Sequence, residues 1–326
     1  MQRFKNILYV ATPGSTNHAD LERAITLAGN SQARLTVVEV IEQMPRITKL
    51  IDQILLLEEF QNKIVAKHRQ RLEELIAPWD KKIAIKTKIL IGIPFIEIIH
   101  EILRNNHDLV IKMAESGGLL DRVFGSDDMH LLRECPCPVW LIKPKSPKTI
   151  QRILAAVDVD DYYPPEELNT RHRLNVQIIE MAGSLALSEF ARLHVVHVWE
   201  AIAENTLRGS FLDMSDDKIT AYIETVRQHC NQNLNALMAE VGGKLGQEAY
   251  NYLKPQTQLL KGCPRKIIPA FASKIEADLV IMGTVARTGI SGFFIGNTAE
   301  TILNQLDCSV LAIKPQGFKT PVILKH

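Results

Sequence analysis

Apolar residues along this chain fall into two patterns: short continuous runs, and longer stretches in which they recur every three or four positions among charges. Runs of roughly four to eight aliphatic residues bounded by turn formers read as strands buried on both faces, and the recurrent stretches as amphipathic helices. In the first half the runs predict strands over Asn6 to Ala11, Leu35 to Ile41, Lys82 to Ile91, Leu109 to Met113 and Val139 to Ile142. Helical spacing predicts Asn17 to Gly29, Pro94 to Leu103 and Ser126 to Arg133, with Pro94 tolerated in a first turn. Thr48 to Trp79, with Leu50, Ile54, Leu57, Ile64, Leu72 and Leu75 among charges, reads as long helix. The second half repeats the plan, with strands over Ile153 to Val157, Leu193 to Val198, Thr257 to Lys261, Leu279 to Met282 and Val310 to Ile313. Its helices are expected over Leu168 to Leu187, Ala221 to Val241 and Pro264 to Lys274. Long helical segments between short buried strands call for parallel βαβ crossovers, so each half is an α/β unit on a five-stranded sheet.

The echo extends to individual residues. Ala33 to Glu42, ARLTVVEVIE, returns as Ala191 to Glu200, ARLHVVHVWE, and Asp108-Leu109-Val110-Ile111 returns as Asp278-Leu279-Val280-Ile281. Cys137-x-Val139-x-x-Ile142-Lys143-Pro144 returns as Cys308-x-Val310-x-x-Ile313-Lys314-Pro315. Order and spacing are kept, so a unit of domain size has been duplicated. The joint is expected in the polar, proline-containing Lys145 to Thr149, giving domains over 1–146 and 147–317 and a tail over 318–326. Length agrees, since 326 residues exceed the roughly 250–300 that one core sustains.

Composition narrows the classes. A formal charge of +1 supplies no electrostatic footprint for nucleic acid. No apolar run approaches the roughly 20 residues of a membrane span, and Ile7 to Ala11 is too short for a signal core. Five cysteines, an odd number at irregular spacing, argue against a secreted disulfide framework. A cytoplasmic protein without nucleic acid or membrane partners is expected.

Candidate chemistry concentrates in Asp278 to Pro315. The run ending at Met282 and Gly283 is followed by a loop with Gly289, Gly292 and Gly296, then by Asn297 as expected N-cap with Glu300 three residues on. A strand, a glycine-rich loop free to take positive φ and a helix N-terminus make a site for anions, because backbone N–H groups converge there. Walker A spacing and the Rossmann Gly-x-Gly-x-x-Gly are both missing. The stretch resembles instead the nucleotide loop of the universal stress protein family, Gly-x2-Gly-x9-Gly-Ser/Thr. Gly283 takes the first glycine position, Ala286 the second, Gly296 the third, and Asn297-Thr298 the Ser/Thr place. Arg287-Thr288-Gly289-Ile290-Ser291 with Gly296 to Glu300 is similar to the tandem-domain universal stress protein E type, and this likeness spans essentially the whole chain.

That resemblance implies two tandem doubly wound parallel sheets of the adenine nucleotide alpha hydrolase-like class, each with strand order 3-2-1-4-5. The ligand crevice then lies beyond the carboxyl ends of strands 1 and 4, where the order reverses. In the second half those ends are Ala156-Val157-Asp158 and Met282-Gly283. The family pattern makes Asp158 the acceptor of the adenine amine and Val198 a backbone contact of the base; a turn role for Asp158 in Asp-Val-Asp-Asp stands beside this. ATP or ADP, with or without Mg, is the implied ligand. The resemblance further implies a stress-response protein whose halves pack as a pseudo-dimer through their last strands, with a homodimer and an unidentified protein as further partners.

The first half has lost the loop. Met113, Ser116 and Thr12 stand where Gly283, Ala286 and Asp158 stand, and Gly125-Ser126 is followed by Asp127 and Asp128, whose charges oppose a phosphate. Nucleotide is therefore expected in the second half alone, as a regulatory ligand. Two alternatives stay open: weak ATP hydrolysis, and a scaffold whose first half takes a more apolar ligand near Met113 and Phe124. Other clusters carry less. Cys135 and Cys137 with His130 have no fourth ligand for a closed zinc site and read as small apolar packing. His194 and His197 sit on opposite faces of one strand without an evident nucleophile and read as core or interface histidines.

Overall fold

A computed structural model of the chain describes residues 4–13, 18–43, 51–79, 83–115, 124–202, 204–209, 215–284 and 295–324. Two compact units divide it, one of Arg3–Lys148 joined by Lys319–His326, the other containing Thr149–Phe318. No helix among the described residues is long and apolar enough to cross a membrane.

The first unit runs β1 (Asn6–Val10), α1 (Ala19–Ser31), β2 (Arg34–Ile41), α2 (Ile51–Ile76), β3 (Ile85–Ile91), α3 (Pro94–Asn105), β4 (Leu109–Met113), α4 (Ser126–Glu134) and β5 (Val139–Ile142). Its strands lie in the order β3-β2-β1-β4-β5, and the pairs β1–β2, β1–β4, β2–β3 and β4–β5 are parallel. The strands' aliphatic content explains the core: Ile7, Val37, Leu109, Val110, Ile111 and Trp140 have no measurable exposure. Such residues each contribute about 1.5–3 kcal/mol by leaving water. In the described part of α2, Leu72 turns inward as the spacing predicts, Ile64 and Leu75 are half-buried, and Ile76 takes the inward place beside Leu75; the side chains of Leu50, Ile54 and Leu57 lie outside the described residues.

The second unit runs β6 (Arg152–Val157), α5 (Pro165–Glu189), β7 (Arg192–Trp199), α6 (Glu204–Gly209), α7 (Asp216–Leu245), α8 (Gln247–Leu253), β8 (Gln256–Lys261), α9 (Pro264–Lys274), β9 (Leu279–Gly283), α10 (Asn297–Leu303) and β10 (Ser309–Ile313). Its order is β8-β7-β6-β9-β10, again parallel in every pair, so each half has the expected 3-2-1-4-5 sheet. Matching carboxylates pin strand starts in the two halves. Asp108 accepts from the backbone N–H groups of Lys5 and Asn6 at 2.7 and 3.0 Å, and Asp278 from those of Gln151 and Arg152 at 2.7 and 3.0 Å.

Candidate functional site

The second sheet reverses direction between β6 and β9, which pair from Ile153 with Leu279 to Ala156 with Met282. The chain leaves these paired ends through Val157-Asp158 and Gly283-Thr284, at the side where a doubly wound sheet opens its crevice. Ala156, Val157 and Met282 are buried strand residues, and Val198 pairs with Leu260 one residue before β7 ends. A short tie then closes the loop of residues 285–294. Gly296 donates its N–H to the Thr284 carbonyl at 3.0 Å, Thr284 donates its own to Ile313 at 3.2 Å, and the Lys314 ammonium donates to the Thr284 hydroxyl at 2.7 Å. Both loop ends, with Asn297 and Thr298 behind them, are thus held at the crevice. Ala286 and Arg287 lie outside the described residues.

Two expectations about this stretch need correcting. Neither Gly283 nor Gly296 uses positive φ, Gly296 sitting at φ −61° and ψ 136°, while Gly289 and Gly292 lie outside the described residues. A Cβ on Gly283 would stand 2.7 Å from Leu174 Cδ2, so the glycine makes room for the Leu174 side chain of α5, which a larger residue would have to displace. The N-cap is Gly296 and not Asn297. Its carbonyl accepts the Glu300 N–H at 2.9 Å, the first bond of the helix, and no side-chain cap forms, so Asn297 is the first helical residue and the box with Glu300 is not made.

Asp158 is held by a network. Its Oδ1 accepts the Asp160 N–H at 3.3 Å, which is the turn role, and its Oδ2 accepts from the Tyr163 hydroxyl at 2.8 Å and Arg171 Nη1 at 3.0 Å. The Arg171 guanidinium lies over the Tyr163 ring, 3.4 Å from its centroid. Asn175 clamps the backbone, donating to the Asp158 carbonyl at 2.6 Å and accepting its N–H at 3.1 Å. Burial and the Asp160 charge push the Asp158 carboxyl pKa up, while Tyr163, Arg171 and His197 oppose them. Burial and Asp158 push the Tyr163 hydroxyl well up, so it remains a phenol and donates. Arg171 and Asn175, four residues apart on the inner face of α5, are polar positions in an otherwise apolar stripe. That break in the stripe was the sequence signal for this network.

At the matching place in the first half stands an internal ion pair. The Lys112 ammonium lies 2.6 Å from Asp128 Oδ1 and 3.2 Å from Glu115 Oε1, and Asp128 Oδ2 accepts the Glu115 N–H at 2.7 Å. Asp128 is wholly buried, so it ties the end of β4 to α4 and does not project toward a ligand as its place in a first turn suggested. Glu115 also fills the space that a Cβ on Gly125 would need. Phe124 is buried under the Lys143 ammonium, 3.9 Å from the ring centroid, which accounts for that apolar residue as core.

The remaining clusters separate cleanly. Cys135 and Cys137 are buried free thiols with sulfurs 3.6 Å apart, while His130 turns to Glu134 at 3.0 Å and stacks on Phe95 at 4.3 Å. His194 meets Phe271 edge-on. His197 is different. It faces Asp160 and Cys230, a grouping that the sequence reading missed because its members come from β7, the turn after β6, and α7.

Comparison with known proteins agrees with this architecture. The sequence model of the Universal stress protein family matches residues 3–143 and 171–314. Universal stress protein E of Escherichia coli strain K12 is 29% identical over 332 residues, covering 99% of this chain and 98% of that protein. A crystal structure of a functionally unknown protein from Pseudomonas aeruginosa PAO1 superposes with a TM-score of 0.68 at 27% identity, covering 96% of this chain and 93% of the other. A putative universal stress protein from Pseudomonas aeruginosa UCBPP-PA14 gives 0.67 at 27% identity, covering 96% and 94%.

Proposed function

The chain belongs to the universal stress protein family in its tandem two-domain form, and from that premise we propose that its second half binds ATP or ADP as a regulatory ligand in a cytoplasmic stress response. The observation that carries the reading is a pair of replacements. Where the first half buries Lys112 against Asp128, the second has Met282 and Ala299, so that ion pair has no counterpart at the start of α10. The tie between Thr284 and Gly296 keeps the loop ends at that start. Asp158 Oδ1, whose turn contact is long at 3.3 Å, has lone-pair capacity left for an exocyclic amine, and Val198 contacts the base by family pattern. Ala286 and Arg287 complete the phosphate side by family pattern, and Mg would accompany the triphosphate. Five free cysteines fit a reducing compartment.

Calorimetric titration of the full chain with ATP and ADP tests the reading. One equivalent is expected, with the affinity for ATP falling at least about tenfold in Thr298→Asp, which copies Asp127 of the first half, while adenosine is affected far less. Two equivalents, or no heat at millimolar nucleotide, would overturn it.

A further inference from the structure

Three side chains from distant parts of the second half converge behind the Asp158 turn. His197, on β7, has 1% of its side-chain surface exposed, Asp160 13%, and Cys230 of α7 is buried. His197 Nε2 lies 3.3 Å from Asp160 Oδ1, and Cys230 Sγ lies 3.7 Å from the same oxygen. All three candidate ligand atoms fall within 4.8 Å of one another, and among the described residues this is the one such group.

The geometry points to a metal. A tetrahedral zinc with nitrogen and carboxylate oxygen at about 2.0–2.1 Å and thiolate at about 2.3 Å sets N and O about 3.3 Å apart, and S and O about 3.6 Å apart. The two measured separations match these edges. His197 Nδ1 lies 3.3 Å from the Val157 carbonyl, to which it can donate, and 3.5 Å from the Val159 N–H, the longer of its two contacts. A proton on Nδ1 leaves the Nε2 lone pair aimed at the cluster, the arrangement by which a backbone carbonyl orients a ligating imidazole. In that tautomer Nε2 has nothing to accept from, because ionised Asp160 is acceptor-only, and Nε2 is indeed buried without a hydrogen-bond partner. The surroundings hold the ligands in place. Asn233 donates to the Val159 carbonyl at 3.1 Å, His229 pairs with Asp161 at 2.5 Å, and the Asp160 N–H bonds Asp158.

We propose that Asp160, His197 and Cys230 form a three-ligand site for a divalent transition ion of the zinc class, with water or an exogenous ligand in the fourth position. The site does not depend on nucleotide, and its test uses none. Reduced, chelator-stripped full chain is titrated with cobalt(II). One equivalent is expected to give the intense visible bands of a four-coordinate ion together with a near-ultraviolet thiolate charge-transfer band, and added zinc should bleach both. Cys230→Ser removes the charge-transfer band and keeps weaker visible absorption, and Asp160→Asn lowers affinity at least about tenfold. Circular dichroism of each apo variant verifies folding; if a variant unfolds, the spectrum of the unaltered chain still decides. No cobalt absorption in the unaltered chain, or a thiolate band that survives in folded Cys230→Ser and so arises from Cys135 and Cys137, overturns the proposal.

Discussion

Asp128 is a carboxylate that the first half buries where the second half has Ala299. It is fully buried and bonded to Lys112 and to the Glu115 backbone, and a charge in that position is tolerated only because it is paired. Asp128→Ala leaves the buried Lys112 ammonium with only the more exposed Glu115 carboxylate at 3.2 Å and removes the acceptor of the Glu115 N–H, and is expected to cost about 3 kcal/mol. Lys112→Met with Asp128→Ala reproduces the Met282 and Ala299 pair of the second half and should cost far less than Asp128→Ala alone. Urea unfolding of the two single variants and the double variant measures that coupling. Simple additivity would show that the ion pair is not what organises the first-half crevice.

Among elements, the meeting of α5 with β9 makes an equally definite claim. Leu174 occupies the space a side chain at Gly283 would need, so Gly283→Ala should destabilise the second half by about 1–3 kcal/mol through overpacking. Adding Leu174→Ala should recover part of the loss, which thermal unfolding would reveal. Glycine at this position was legible as part of a phosphate loop, but its packing partner was not, because α5 reaches it from more than a hundred residues away. The same contrast runs through the fold. All ten strands were legible: eight are short aliphatic runs buried on both faces, while β3, IKTKILI, and β8, QTQLLK, mix polar and apolar residues and stay largely exposed or half-buried at the ends of their strand orders. Helices α6 and α8, ENTLRG and QEAYNYL, were missed because neither is long enough to show an apolar stripe. Helix α7 runs past both ends of the expected Ala221 to Val241: its face of Ile219, Tyr222, Val226, Cys230, Leu234, Leu237 and Val241 begins one turn earlier, among Asp216, Asp217 and Lys218, and its last turn carries Gly242 and Gly243, which read as a stop. Asp158, Gly283 and Gly296 were read from the chain, whereas Tyr163, Arg171 and Asn175 entered only once the fold placed them around that carboxylate.

For the whole molecule, acid should weaken both units together. Buried His107 in the first and buried His194 in the second are each held below the ordinary histidine pKa, chiefly by desolvation. Because each is depressed in the folded state, its contribution is complete above about pH 6.5 and is lost as pH falls through the lower folded value. The slope is at most about 1.4 kcal/mol per pH unit for each group. Urea midpoints between about pH 7.5 and 5 should fall, and a His107→Gln, His194→Gln chain should show a flatter profile; an unchanged slope would assign the acid sensitivity elsewhere. The chain's end separates the units again. Lys319–His326 belong to the compact unit of the first half, where the Ile323 carbonyl lies 3.2 Å from His100 Nε2, itself a buried ring facing Glu97 at 3.3 Å. Deleting the tail after Phe318 leaves that nitrogen without its carbonyl, a loss of about 0.5–1.5 kcal/mol for the hydrogen bond. Hydrogen exchange should then quicken in α3 and leave β6, β7 and β9 unchanged, because the second unit makes its own core without the tail. Equal acceleration in both units, or none in α3, would show that the C-terminal residues do not brace the first half.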